Sequence, residues 1–544
     1  MRFRWLPGPI GLGSWLVLGI LVIAPLAQIL LIAFVPSFGG ADGTGMRAAL
    51  HTHDLWNALG GTLSLAFLTM CMTLLLGWTL ATLMVEAPLP ASPLWEALLL
   101  APFLLPPYLT GIAWSLLLQP GGYFSQWFGA ASSPFGQALY TLPGMAWVMA
   151  LHLTPLAYLM LRAALLQRAE SPRLAARVHG AGRVRTWLRI ELPALAPALA
   201  GAALLIFLAA SEEYGVPAVI GSYAGVSVLA TAVEESVSVW PVDLPKAASL
   251  GVILCLLALL AWLPYRRLSR VPMDAPQQRL QTPRWSALLP VLAYVLLADA
   301  LPIGAILLTS MLQAVTNGIS SANLTLAHYA AVLNPGSVGL QALRTSLWLS
   351  LFTALAALVL GMLVAAALLR RRGAAPPSRT LDLLASLPTA LPGVVVAVGL
   401  ILFWNAPWNP LGVYGTPLIL VISYLTVTFP YALRYAQVGL AASGAQLEFA
   451  ASVHGAGTVR RFLRVTLPLA MPALAGAASV VFALSMRELV TSVMLQPPGT
   501  QVISTYIMNQ FLQGDVGDGM AMAVVGVFSS AALLGLARLR LGRA

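Results

Sequence analysis

Ionisable side chains are scarce in this chain, so the places where they occur carry weight. Glu212 and Glu213 close one long apolar segment, and Arg487 and Glu488 close another 275 positions later. A charge at mid-depth in an apolar body costs of order 2–3 kcal/mol, so such groups line water or pair with one another. These four residues are therefore candidates for shaping the outer end of a polar path. The alternatives are a solvated outer loop or a structural ion pair. His152 and Asp299 also fall inside apolar runs, where hydrogen bonding between helices is the expectation. His179 and His454 fall in short polar turns and are expected to pack there rather than bind metal.

Other chemistries are disfavoured by residue type. A phosphate-cradling loop of the form Gly-x-x-x-x-Gly-Lys-[Ser/Thr] needs its lysine, and the one lysine is Lys246, in LPKAAS. No Gly-x-Ser-x-Gly elbow and no His-Glu-x-x-His helix occurs, so no catalysis is expected. Cys71 and Cys255 lie far apart within apolar runs, which argues against both a disulfide framework and a zinc site.

What positions the ionisable pairs is a duplication. LAARVHGAGRVRTWLRIELPALAPALAGAA begins at Leu174 and FAASVHGAGTVRRFLRVTLPLAMPALAGAA at Phe449; over the 25 positions from Val178, 17 are identical without a gap. Unrelated apolar segments would match at only a few positions, so the chain is an internal repeat.

The repeated unit belongs in a membrane. Hydrophobic residues make up 59% of the 544 positions and charged residues 9%, with a mean hydropathy of +0.85, well outside the soluble range. The net charge of +11 resides in arginine clusters between apolar runs rather than on one face, which signals topology and not nucleic acid. The pattern predicts an all-α, polytopic protein of about 12 spans in two pseudo-symmetric six-helix halves. Spans are expected at about 15–34, 59–85, 94–118, 142–161, 194–208 and 247–263 in the first half. In the second they are expected at about 286–312, 341–369, 382–404, 416–435, 470–486 and 519–537. The halves are residues 1–265 and 286–544, joined by a polar, proline-bearing linker, 266–285. Gly77 matches Gly361, and the proline-rich APFLLPP from Ala101 resembles SLPTALPG from Ser386. On this plan 25 of the 29 basic residues fall on one side, the exceptions being Arg47, Lys246, Arg344 and Arg487. That asymmetry places both termini, and both copies of the duplicated stretch, in the cytoplasm.

Within each copy, a short helix carrying Leu174, Ala175 and Val178, or Phe449, Ala450 and Val453, is expected to lie on the membrane surface. It ends at a Gly-Ala-Gly turn, and a second short helix runs to Pro193, or Pro468, where the next span starts. One such element would pass as an interfacial helix. Two kept so alike favour a docking surface used twice, by a symmetric partner.

These residues resemble the EAA motif of ABC importer permeases of the MetI-like class, Ala-Ala-x-x-x-Gly-Ala followed by hydrophobic-x-Leu-Pro. The motif is carried by Ala175, Ala176, Gly180, Ala181 and Pro193, and again by Ala450, Ala451, Gly455, Ala456 and Pro468. The resemblance implies coupling helices that insert into two copies of a separate ABC ATPase subunit, which binds ATP-Mg; no cofactor is expected in this chain. It further implies a periplasmic solute-binding protein, a bacterial inner-membrane location and alternating access. The motif's glutamate position is Leu174 in one copy and Phe449 in the other, with Arg173 before the former and Glu448 before the latter. The family's usual salt bridge therefore does not carry over, and the two docking sites differ.

Fused two-half permeases of this class serve iron(III), thiamine, polyamine and phosphonate importers. SEEYGVPAVIG, from Ser211, is similar to the Asp-Phe-Gly-x-Pro-x-x-x-Gly stretch of iron(III) permeases. MRELVTSVMLQPPG, from Met486, is similar to their Arg-Glu-Leu-x-x-Thr-x-x-Leu-x-Pro-Pro-Gly segment. The resemblance thus implies ferric iron as the transported species, with thiamine, polyamine or phosphonate as alternatives. A rival of another class, an ion-coupled secondary transporter, predicts buried Asp, Glu or His in both halves and no ATPase.

Overall fold

The structure is a computed structural model that describes residues 9–35, 45–87, 89–167, 171–268, 285–370, 377–442 and 445–541. Most of the expected linker, 269–284, and the basic Arg2 and Arg4 lie outside the described residues. Among those described, the protein is helical throughout, with one isolated bridge between Leu312 and Leu324. Among the described residues, nine helices are long and apolar enough to cross a membrane, and up to twelve if each bent pair counts as one span.

The principal elements fall into two series of ten, besides short helices at Met46–Leu50, Tyr123–Phe128, Ser133–Leu139 and Ala327–Leu333. The first comprises α1 (9–34), α2 (His53–Glu86), α3 (Ser92–Leu100), α4 (Pro107–Leu118), α5 (Leu142–Leu166), α6 (Ser171–Val178), α7 (183–212), α8 (Pro217–Ala224), α9 (Leu229–Ser238) and α10 (Leu244–Leu268). The second repeats it as α11 (Leu288–Ser310), α12 (Val338–Arg370), α13 (Pro377–Ser386), α14 (Gly393–Trp404), α15 (Leu418–Ala442), α16 (Ala445–Val453), α17 (458–486), α18 (Val490–Leu495), α19 (Ile503–Gln513) and α20 (Val516–Leu541).

The duplication extends to single bonds. Leu229 N–H, at the start of α9, donates to Thr62 Oγ1 of α2, and Ile503 N–H, at the start of α19, donates to Ser346 Oγ of α12, both at 2.8 Å. Each bond satisfies a helix-terminal donor that has no partner within its own helix. Gly77 lies against Ala157 of α5, where a Cβ would overlap it, and Gly361 lies against Ala432 of α15, whose carbonyl carbon a Cβ would meet at 3.2 Å. Glycine at these two places lets long helices touch backbone to backbone.

Two departures from the sequence reading have local causes. The third span of each half is a bent pair, turning by 93° between α3 and α4 and by 109° between α13 and α14. Prolines Pro106, Pro107 and Pro392 stand at the breaks, where no i−4 bond can form. The stretch between Glu212 and α10, read as a polar loop, instead folds as α8 and α9, bent by 94°. Val216, Ile220, Leu229 and Val233 bury its apolar side.

Proline also explains a recurrent irregularity. Besides the π turn Pro217–Gly221, which itself opens α8 at a proline, four long helices contain a five-residue π turn, at Gly19–Ile23, Trp187–Glu191, Leu296–Ala300 and Phe462–Thr466. Two residues beyond each stands a proline: Pro25, Pro193, Pro302 and Pro468. A proline ring collides with the carbonyl four residues back, and one wider turn just before it relieves the collision. Pro193 and Pro468 accordingly do not start new helices. The expected second short helix of each duplicated stretch is the lower part of α7 or α17, continuous through its π turn.

The first helix of each half reaches into the other. α1 packs between α10 of its own half and α14 of the second, and α11 packs between α20 and α4 of the first. Tyr294 of α11 donates to Leu151 O of α5 at 3.0 Å, and Thr426 of α15 lies 3.5 Å from Leu21 O of α1. Gly399 of α14 leaves room for Pro25, whose side chain a Cβ there would meet at 3.0 Å. One continuous buried core runs through both halves.

Candidate functional site

The duplicated stretches form two matching turns. α6 ends at Gly180 (φ +75°) and α16 at Gly455 (φ +79°). In each, the second alanine of the pair accepts a closing bond across the glycine: Ala181 N–H to Ala176 O at 2.9 Å, and Ala456 N–H to Ala451 O at 3.0 Å. This is the glycine-terminated C-cap of a helix, which only a left-handed residue completes. A Cβ on either glycine would meet nothing within 4 Å, so backbone conformation and not crowding requires glycine here. The turn then opens α7 through Thr186 N–H to Gly182 O, and α17 through Arg461 N–H to Gly457 O.

Around these turns apolar side chains face outward. Val178 is 84% exposed, Phe449 70% and Val453 68%, with Leu174, Val184 and Val459 also exposed. Leu174, Val178 and Val184 correspond to Phe449, Val453 and Val459 at the 275-residue spacing. Each half therefore presents the same three-residue apolar knob. Ala175, Ala176 and Ala181 lie beside it, as do Ala450, Ala451 and Ala456 in the other copy, and these small residues keep its base low. Arg173 lies on α6 and Glu448 on α16, the residues preceding the first knob position.

The four ionisable residues meet at the far ends of α7 and α17, inside the bundle. Glu213 Oε1 accepts from Gly215 N–H at 2.7 Å, and Gly215 is pressed so closely on Tyr108 that a Cβ would lie 2.9 Å from its backbone nitrogen. Glu488 Oε1 accepts from Thr491 N–H at 3.1 Å, capping α18. Arg487 donates from Nη1 to Phe103 O at 2.5 Å, a bond between the halves. Its guanidinium lies within electrostatic reach of Glu213, Glu488, Tyr431 and Tyr108. Glu212 adjoins Glu213, and its Oε1 is buried without a hydrogen-bond partner among the described residues. A cavity of about 310 Å³ opens beside Arg487, lined also by Phe103, Pro106, Tyr108 and Ile507.

Sequence reasoning did not find Phe103, Tyr108 or His152 as neighbours of this cluster. A signal existed for the first. In a regular helix the Phe103 carbonyl would accept from the residue four positions on, which is Pro107 and has no N–H. That free carbonyl is the one Arg487 takes. His152 packs edge-on against Phe103 with ring centroids 6.1 Å apart. The expectation that His152 and Asp299 bond between helices is not met. His152 Nδ1 and both Asp299 carboxylate oxygens have no hydrogen-bond partner among the described residues. Asp299 sits in the π turn of α11, which turns it away from the regular helix face.

Residues 357–539 match the family model described as binding-protein-dependent transport system inner membrane component. A permease of Salmonella typhimurium named for 2-aminoethylphosphonate transport is 32% identical over 225 residues, covering 41% of this chain and 82% of the relative. A ferric transport system permease of Actinobacillus pleuropneumoniae is 26% identical over 436 residues, covering 77% of this chain. The match spans 62% of that relative's length, less than two thirds. An ABC transporter permease protein of Sinorhizobium fredii is 27% identical over 414 residues, covering 72% of this chain and 71% of the relative. The chain belongs to the family of binding-protein-dependent transport system inner membrane components. It is a multi-pass helical membrane permease, internally duplicated.

Proposed function

We propose that this chain forms the whole translocation path of a binding-protein-dependent ABC importer, its two halves, 1–265 and 286–544, taking the place of two separate permease subunits. The observation that carries the reading is the pair of matched exposed knobs on glycine-capped helices α6 and α16, 275 residues apart, within a chain of this family. Each knob docks in one copy of a separate ATPase, which binds ATP-Mg. Ala175, Ala176, Gly180, Ala181 and Pro193 shape one contact, and Glu448, Ala450, Ala451, Gly455, Ala456 and Pro468 the other. The arginine distribution supports placing both knobs, the linker 266–285 and both termini in the cytoplasm of a bacterial inner membrane. A periplasmic solute-binding protein delivers the solute to the opposite face. ATP-driven closure of the ATPases then alternates access as rigid bodies rock.

The cluster of Glu212, Glu213, Arg487 and Glu488 gates this path. It lies where both α7 and α17 end, and its one cation bridges the halves through Phe103. Movement of one half against the other must break or remake that bond.

For the solute, the phosphonate reading is the better supported: those relatives are the more identical, and the match covers most of their length. A ferric complex is the second reading, favoured by relatives whose match runs across both halves. Family membership supports an ATP-driven partner over an ion gradient. Uptake of labelled 2-aminoethylphosphonate and of labelled ferric complex is to be compared in vesicles holding the permease, its ATPase and its binding protein. ATP-dependent uptake of neither would overturn both substrate readings. Failure of the permease to co-purify with any ATPase would overturn the docking assignment.

A further inference from the structure

We propose that a groove between the first turns of α12 and α15 binds an anionic phospholipid, with the phosphate at Arg344 and the acyl chains along Trp348 and Phe352. The groove measures about 890 Å³. Ser337, Gln341 and Arg344 line one end, and Trp348, Phe352 and Val421 line its length. It opens at the end of α15 opposite Ala442, beyond which α16 follows, so it belongs to the face away from the coupling helices.

Two features select this ligand class. The first is the gradient from polar to apolar along one helix. Arg344 stands six residues into α12, about 9 Å along its axis. A cation at that depth extends its stem toward the headgroup layer and attracts anionic lipid. It is exposed, and no ion pair or hydrogen bond holds it among the described residues. Trp348 and Phe352, one and two turns deeper, stack with ring centroids 5.6 Å apart and are 60% and 55% exposed. A soluble anion would need the cation but not an outward apolar ladder beneath it.

The second feature is an internal control. The bonds at Thr62 and Ser346, and the glycines Gly77 and Gly361, fix the register between α2 and α12 at 284 residues. In that register Arg344, Trp348 and Phe352 correspond to Gly60, Ser64 and Leu68. At those three positions the first half therefore carries neither cation nor ring, although Trp56 stands where Leu340 lines the groove, and Lys246, at the start of α10, is engaged by Asp54 at 3.6 Å. The fold does not require these residue types, and only one half has them. Arg344 is also one of the four basic residues that break the charge asymmetry of the chain, which a lipid phosphate at that position explains.

Native mass spectrometry of the full chain, released from detergent after equilibration with phosphatidylglycerol or with phosphatidylcholine of the same acyl chains, tests this. Wild type is expected to retain phosphatidylglycerol preferentially. Arg344→Gln should reduce that retention about tenfold, to the phosphatidylcholine level, while Arg344→Lys keeps most of it. Trp348→Ala should weaken both lipids alike, and Arg47→Gln should change neither. Equal retention by wild type and Arg344→Gln would overturn the proposal, as would an equal loss in Arg47→Gln. Displacement of the retained species by millimolar inorganic phosphate would also overturn it, in favour of a soluble anion. So would loss of preference in Arg344→Lys, which would mark a structural rather than a phosphate-binding arginine.

Discussion

At the residue scale, the glycines of the two turns and Arg487 of the proposed gate make the sharpest demands. A side chain at Gly180 or Gly455 forces a β-carbon into the left-handed region, at roughly 1–2 kcal/mol, although neither position is crowded. Gly180→Val is therefore expected to misdirect α6 and weaken ATPase co-purification, with little change in the melting temperature of the detergent-solubilised chain. Val178→Asp and Val453→Asp test the knobs themselves: being exposed, both should leave the melt unchanged and reduce ATPase association. The opposite charges at Arg173 and Glu448 predict different salt dependence for the two contacts, read by repeating each pull-down across an ionic-strength series. At the gate, Arg487→Gln leaves Glu213 and Glu488 without their cation and Phe103 O without its charged donor. Losing a charge-assisted hydrogen bond costs about 1.5–3 kcal/mol, so a lowered melting temperature and loss of transport are expected together. Glu213→Gln combined with Glu488→Gln isolates the path role, and unchanged vesicle uptake in that double variant would remove it.

At the scale of elements, much was legible because the helices are long and their punctuation is strong. The spans, the duplication and the surface helices followed from hydropathy and from the repeated Gly-Ala-Gly turn. The bent third spans were marked by prolines. Less legible were α8 and α9, because SEEYGVPAVIGSYAGVSVLATAVEESV mixes glycine, serine and glutamate among its apolar residues and reads as loop in a hydropathy window. Tertiary contact decides there, since α9 is held by one bond from its first N–H to Thr62. Thr62→Val should leave that donor unpaired in a buried setting, at about 1–3 kcal/mol, and a thermal melt in detergent should detect it. Ser346→Ala is expected to do the same to α19. The π turns were hidden for a different reason: a proline inside an apolar run is equally consistent with a helix start, and only continuity on both sides shows that a wider turn has absorbed it.

At the scale of the whole molecule, the near-symmetry is imperfect in ways that matter. Both knobs, both buried cap bonds and both glycine crossings recur, yet the ionisable cluster has one arginine and three glutamates, and the groove beside Arg344 has its cation in one half only. What the sequence could not convey is where α1 and α11 reside, since apolar helices facing lipid or protein carry much the same composition. Their placement changes what a domain is here. Because α1 is wedged against α14 and α11 against α4, under the proposed alternating access the stretch of polypeptide that comes from one copy of the repeat would not be the object that swings. Each lever would be assembled from parts of both, bolted to its neighbour by a borrowed strut, so a chain cut at its middle would yield two pieces that still hold each other by exchanged arms.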